Sequence, residues 1–203
     1  MNAPLRPGIA IAAGGVAALG LAACGGGGSA PSQPASGPSG PTPTPIVTLS
    51  NAPLNTNDFQ SGAVALSPTA VPDLTSVKCS PNQATGTQYQ YKSQIQAGSG
   101  RVYGNVVVGF DSAADAHTFV TQFFTAAQSC SDATAPAVQD NLGTYSFSFS
   151  IRSNPTGIDA EVLQQDRYVS VILQYLPSGV TSDPQGVRNL TGEVLAKLQA
   201  INA

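Results

Sequence analysis

Tryptophan is absent from the chain, histidine occurs once, and only 9% of the residues are charged. Any Ser-His-Asp or Cys-His site must therefore use His117, which sits between Ala116 and Thr118 with no G-x-S-x-G nucleophile turn in the sequence. It reads as a surface or hydrogen-bonded helix histidine. Positive charge is also scarce, with 8 Lys and Arg against 11 Asp and Glu. All the acidic residues follow Cys24 and Arg6 precedes it, so the chain beyond Cys24 is slightly more acidic than the formal −3 of the whole. Without a basic stripe, nucleic acid is excluded as a partner, as is direct electrostatic docking on anionic lipid heads. Solubility rests on neutral Ser, Thr, Gln, Asn and Gly.

What is present begins with an address. Gly8 to Ala23 is apolar and uncharged after Arg6, the layout of a secretory signal, and it is short for a spanning helix and broken by Gly14, Gly15 and Gly20. Its end, Leu21-Ala22-Ala23-Cys24, resembles the bacterial lipobox at every position. The resemblance implies a diacylglycerol thioether on Cys24, cleavage before it, and a mature protein held at the outer, extracytoplasmic face of a cell membrane. Two or three acyl chains at about 0.8 kcal/mol per buried CH₂ make a stable anchor. Residues 1–23 are thus the expected signal peptide. Residues 24–48 are the expected linker, Gly25 to Ser29 followed by a Pro/Ser/Thr run with prolines at 31, 34, 38, 41, 43 and 45. Flexible Gly-rich chain followed by extended Pro-rich chain makes a stalk.

Residues 49–203 remain for a single domain, large enough for a hydrophobic core. Once Cys24 carries lipid, Cys79 and Cys130 are left in an oxidising compartment, where a disulfide is the expectation. Closing a loop of about fifty residues restricts the unfolded chain by roughly 4 kcal/mol. The alternatives are a catalytic thiol or a metal pair, but neither cysteine has a neighbouring His and there is no C-x-x-C.

Residues 46–77 are rich in turns and yield at most a short helix or strand. Thr87 to Gln96 alternates apolar and polar, Ala97 to Gly100 supplies a turn, and Arg101 to Phe110 completes a hairpin. Asp111 or Ser112 then caps a helix whose apolar positions are Ala113, Ala116, Val120, Phe123, Ala127 and Cys130. Tyr145, Phe147, Phe149 and Ile151 alternate with Ser146, Ser148 and Ser150, giving one core face and one of small hydroxyls. Asn154 to Gly157 turns the chain into Ile158 to Gln164, and Gln165-Asp166 turns it into Arg167 to Leu176. Asp183 and Pro184 open a last helix with a stripe of Val187, Leu190, Val194, Leu198 and Ile201. The order is α+β: a twisted antiparallel sheet of about five strands, one disulfide, and two main helices packed on one face.

The run from Val106 to Ala116 (VVVGFDSAADA), a strand entering a helix through an F-x-S-A-x-x-A turn, is joined by Cys130 at that helix's end and by the hydrophobic strand Tyr168 to Tyr175 before a closing helix. From about Asp73 onward the chain thereby resembles the extracellular sensor-like domains of mycobacterial PknH-type receptor kinases and related actinobacterial lipoproteins. The resemblance implies a sheet bent around helices to leave a cleft. It supplies no catalytic residues. The chain departs from the group in having one cysteine pair rather than two, and Phe123-Phe124 where a Trp is usual.

Asp159 and Glu161 share one face of a strand, as an acid/base pair or a calcium site would. Solvated charges pointing outward have the same spacing, and that is the expectation here. Asp111 and Asp115 are explained by capping. The tyrosines all fall on predicted strands, and a sheet face of phenols and serines suggests an amphipathic ligand cleft built on Tyr89, Tyr91, Tyr103, Tyr145 and Tyr168. The expected function is a non-catalytic binding or sensing domain, monomeric and without metal or cofactor, for a small or lipidic ligand. The alternative is a protein-interaction accessory factor for an envelope or receptor system, and a hydrolase with an unfamiliar site comes third. Replacing Cys24 by Ala should move the protein out of the membrane fraction and change its electrophoretic mobility; unchanged partitioning and mobility would refute the anchor.

Overall fold

The computed structural model describes residues 46–139, 141–152 and 157–201. The signal peptide, Cys24, most of the linker and the Asn154-Pro155-Thr156 part of the expected turn lie outside the described residues.

Strands β1 (Val64–Leu66), β2 (Thr87–Gln96) and β3 (Val102–Phe110) precede helix α1 (Ala113–Ser129). Strands β4 (Ala137–Val138), β5 (Tyr145–Arg152), β6 (Gly157–Gln165) and β7 (Tyr168–Leu176) precede helix α2 (Pro184–Ile201). The sheet has seven strands in the order β1-β2-β3-β7-β6-β5-β4, every described pairing being antiparallel. The five long strands fall where the alternation placed them. The expectation of about five misses β1 and β4, which are three and two residues long. Segments that short contain no periodicity to read, and they are strands because an already formed edge, β2 or β5, offers its free backbone groups.

The expected placement of both helices on one face is also corrected, because they lie on opposite faces. The α1 stripe of Ala116, Phe119, Val120, Phe123 and Ala127 packs on Val106, Val108 and Phe110 of β3, Phe147 and Phe149 of β5, and Val169 and Val171 of β7. The α2 stripe of Val187, Leu190, Val194 and Leu198 packs with Tyr103, Val107, Leu163, Tyr168 and Ile172, joined by Leu49, Ala52 and Leu54. Consecutive residues of β3 and β7 therefore enter different cores, and both strands are buried almost throughout. Antiparallel pairing alone does not require a wet face.

Both helix starts follow from their first residues. Ser112 Oγ accepts from the Asp115 backbone N–H at 3.1 Å, and Asp183 Oδ1 accepts from that of Gly186 at 3.0 Å with Pro184 in the first turn. Buried Asn105 ties the N-terminal segment to the sheet: its Oδ1 accepts from Leu54 N–H at 3.1 Å, and its Nδ2 donates to Ser170 Oγ and to the Val171 carbonyl. Lys197 of α2 pairs with Asp58 at 2.6 Å and donates to the Pro53 carbonyl, fastening the same segment from the other side.

Cys79 and Cys130 are bonded, joining the residue after α1 to the segment before β2 across 51 positions. Cys79 has a φ of +68°, in the left-handed region that side chains with a Cβ disfavour. The double variant Cys79→Ala/Cys130→Ala should still fold on its two cores but lose about 2–4 kcal/mol in urea unfolding. A variant as stable as the parent would show that the bridge constrains nothing.

Candidate functional site

The side chains of Ser146, Ser148 and Ser150 lie on the α2 side of β5, opposite the aromatic face that packs on α1. Serine fills little space, and α2 packs on β6 and β7 rather than reaching over β5. A cleft of about 300 Å³ is left there, floored by β5 and β6 and walled by residues 134–139 on one side and the first turns of α2 on the other.

Asp159 and Glu161 lie at the base of that cleft, and their predicted solvent exposure is overturned. Asp159 is 3% exposed and Glu161 is 2% exposed. They occupy the expected common face of β6, but α2 and residues 134–139 cover that face. Asp159 is well satisfied. It accepts from Ser150 Oγ at 2.6 Å and from Ser182 Oγ, and it pairs with Arg152 Nη1 at 3.1 Å. Glu161 sits opposite Ser148 on β5 and Ile172 on β7 in the strand register, and its Oε1 is buried without a hydrogen-bond partner among the described residues. Loss of hydration pushes its carboxyl up to about 7, against a smaller downward pull from the Arg188 guanidinium. Arg188 donates to Gln139 Oε1 across the rim, and Gln139 Nε2 donates to Ser148 Oγ at 2.7 Å.

The cleft therefore combines one carboxylate with its needs met and one without. Among the described residues no third His, Cys, Asp or Glu converges there, so the calcium arrangement lacks ligands. His117 is exposed on α1, with Nδ1 3.1 Å from Gln164 Oε1 and its ring edge-on to Tyr145. Gln164 and Tyr145 belong to the α1 side of the sheet. His117 is thus across the sheet from Asp159 and Glu161, and no triad forms between them.

The tyrosines do not line one cleft. Tyr145 packs on the α1 side against Phe124 and Phe147, while Tyr103 and Tyr168 are core residues on the α2 side. Tyr91 is half-buried against that second core, and Tyr89 is 54% exposed beside a separate shallow hollow with Gln88 and Gln90. Strand parity separates Tyr145 from the rest, and aromatic area is better buried than left lining a wet groove. The serine half of the expected surface is the part that lines a cleft.

No protein-family model matches the chain, and no curated protein matches it. Among solved structures it is similar to the extracellular domain of PknH from Mycobacterium tuberculosis, at 15% identity and a TM-score of 0.39. The match covers 58% of this chain and 66% of that one, just under two-thirds of the PknH domain. Neither a site nor a ligand transfers at that level of similarity.

The raised carboxyl has a consequence for stability. Glu161 holds its proton to about pH 7 in the folded state and releases it near 4.5 when unfolded. Its contribution is fully present below pH 4.5, declines as pH rises through the window to about 7, and is flat above that. The shift corresponds to at most about 3 kcal/mol. Glu161→Gln should abolish that decline, so the urea-unfolding free energy of the variant gains on the parent between pH 4.5 and 7. Parallel curves would show that the carboxyl titrates normally.

Proposed function

We propose that residues 49–203 are the ligand-binding part of an exported envelope lipoprotein, anchored through Cys24 on the outer face of a membrane and set off from it by the stalk of residues 24–48. The observation that carries ligand binding is the Glu161 carboxyl, buried at the base of a cleft open to solvent with Oε1 unpartnered. An unsatisfied buried acceptor costs about 1–3 kcal/mol, more when charged, and a bound molecule with a donor removes that cost. The volume of about 300 Å³ suits a small polar molecule rather than an acyl chain. The domain is read as non-catalytic, because the one histidine is on the far side of the sheet and the carboxylate that Ser150 and Ser182 meet in the cleft, Asp159, is held as an ion pair by Arg152. Among the described residues no helix is long and apolar enough to cross a membrane.

The second reading, an accessory factor that docks on an envelope protein, is favoured by one feature. β1 is an edge strand with Val64 56% and Leu66 36% exposed, and no described strand pairs with its outer side. Native mass spectrometry on the mature protein released from its own envelope separates the two. A small bound mass that disappears in Ser148→Phe, where the ring fills the cleft floor, is the expected result. An empty cleft in the parent, together with a co-purifying protein lost on Val64→Lys, would replace the ligand reading by the docking one.

A further inference from the structure

The polar groups around Glu161 indicate what kind of molecule the cleft accepts, an inference that rests on the cleft being a ligand site. The wall groups are already engaged. Ser150 and Ser182 donate to Asp159, Gln139 bridges Ser148 and Arg188, and Ser146 Oγ donates to the Gln139 carbonyl. Asp159 has Arg152 as counter-charge. What is left over in the cleft is an acceptor, Glu161 Oε1, on the one carboxyl there that no described cation contacts within ion-pair distance.

We infer that the cleft binds a small hydroxylated molecule carrying a protonated amine, whose ammonium group pairs with the Glu161 carboxylate. A neutral hydroxyl would satisfy the hydrogen bond and leave the buried charge uncompensated. An ammonium supplies both at once, and a charge-assisted bond of this kind is about twice as strong as a neutral one. An anion meets Glu161 and Asp159 in a domain of net negative charge. Ser148 Oγ accepts from Gln139 and so keeps its own proton to donate, and Gln185, whose Nε2 donates to Asn189, keeps its Oε1 as an acceptor, so these two suit hydroxyl groups on the same molecule.

Binding of this kind is linked to protons, because only ionised Glu161 pairs with ammonium. The charged groups facing it among the described residues are Asp159 on its own strand, Arg152 at the end of β5 and Arg188 on α2, while β7 contributes the uncharged Ile172 and Gln174. Affinity for an ammonium ligand should therefore fall as pH drops below about 7, approaching tenfold per pH unit as the ionised fraction shrinks.

The test uses three linear polyols that differ at one end group: glucamine, positive; sorbitol, neutral; and gluconate, negative. Each is titrated into the mature protein in non-ionic micelles, with Glu carboxyl carbons and backbone amides followed by NMR. Glucamine is expected to shift the Glu161 carboxyl and the amides of Ser148 and Val187 saturably, with sorbitol at least tenfold weaker and gluconate weaker still. Glu161→Gln should lose the glucamine response by tenfold or more while melting no lower than the parent at the pH of the titration, as the raised carboxyl requires. Repeating the titration with phosphatidylethanolamine in the micelles assigns the ammonium to a lipid headgroup if it shifts the same signals, and to a free solute if it does not. Sorbitol or gluconate binding as tightly as glucamine overturns the ammonium assignment and leaves the ligand cleft standing. If none of the three moves the cleft amides, the ammonium assignment falls, while the ligand reading stands or falls by the mass found in the cleft of the native protein.

Discussion

Coverage of the sheet on both faces is the constraint from which the other features follow. Strands β3, β6 and β7 run between α1 on one side and α2 with the 49–54 segment on the other, so each strand residue must suit one of two interiors. For Val106, Val107 and Val108 this is simple, since consecutive valines serve both cores. For β6 it is not. Ala160 and Val162 meet the α1 core, and Leu163 meets the α2 core, but Asp159 and Glu161 face the α2 side as carboxylates. Two acids in a strand covered on both sides must be neutralised, hydrogen-bonded or left at a cost.

The molecule resolves the two acids differently, and the difference produces the cleft's chemistry. Asp159 is next to Ser150 in the strand register and within reach of Arg152 and Ser182, so its charge is compensated within the domain. Glu161, two residues along, faces Ser148, whose hydroxyl accepts from Gln139 and does not bond Glu161 Oε1, and Ile172, which offers no donor. Arg188 acts on it only at a distance. The same side chains that leave room in the cleft, the serines of β5, are therefore also those that leave Glu161 without a partner. Space and an unmet acceptor arise together.

Much of the fold was legible because its signals are local. The Tyr145–Ile151 alternation, the Ser112 and Asp183 caps and the α2 stripe each report geometry set by neighbours within a few residues, and each reappears in the structure. The short edge strands were not legible, because two or three residues such as Ala137-Val138 become a strand only by pairing with β5. Nor was the face occupied by each helix. The apolar stripes of α1 and α2 establish that each helix is buried on something, and β3 and β7 are apolar on both sides, so nothing in either pattern distinguishes one sheet face from the other. The same ambiguity holds for Asp159 and Glu161, whose alternation is the same whether the outer face meets water or a helix.

The sequence by itself determined the apolar and polar periods, the helix starts, the pairing partner available to Cys79 and the expectation of a lipid at Cys24, all of which depend on residue type and spacing along the chain. Only the tertiary structure decided that the two helices take opposite faces, that Tyr103, Tyr145 and Tyr168 are packing residues, and that Glu161 is buried without a partner. These depend on which segments, far apart in the chain, come to cover one another. A carboxylate's hydration is lost or kept according to what packs over it, and that is a property of the assembled layers.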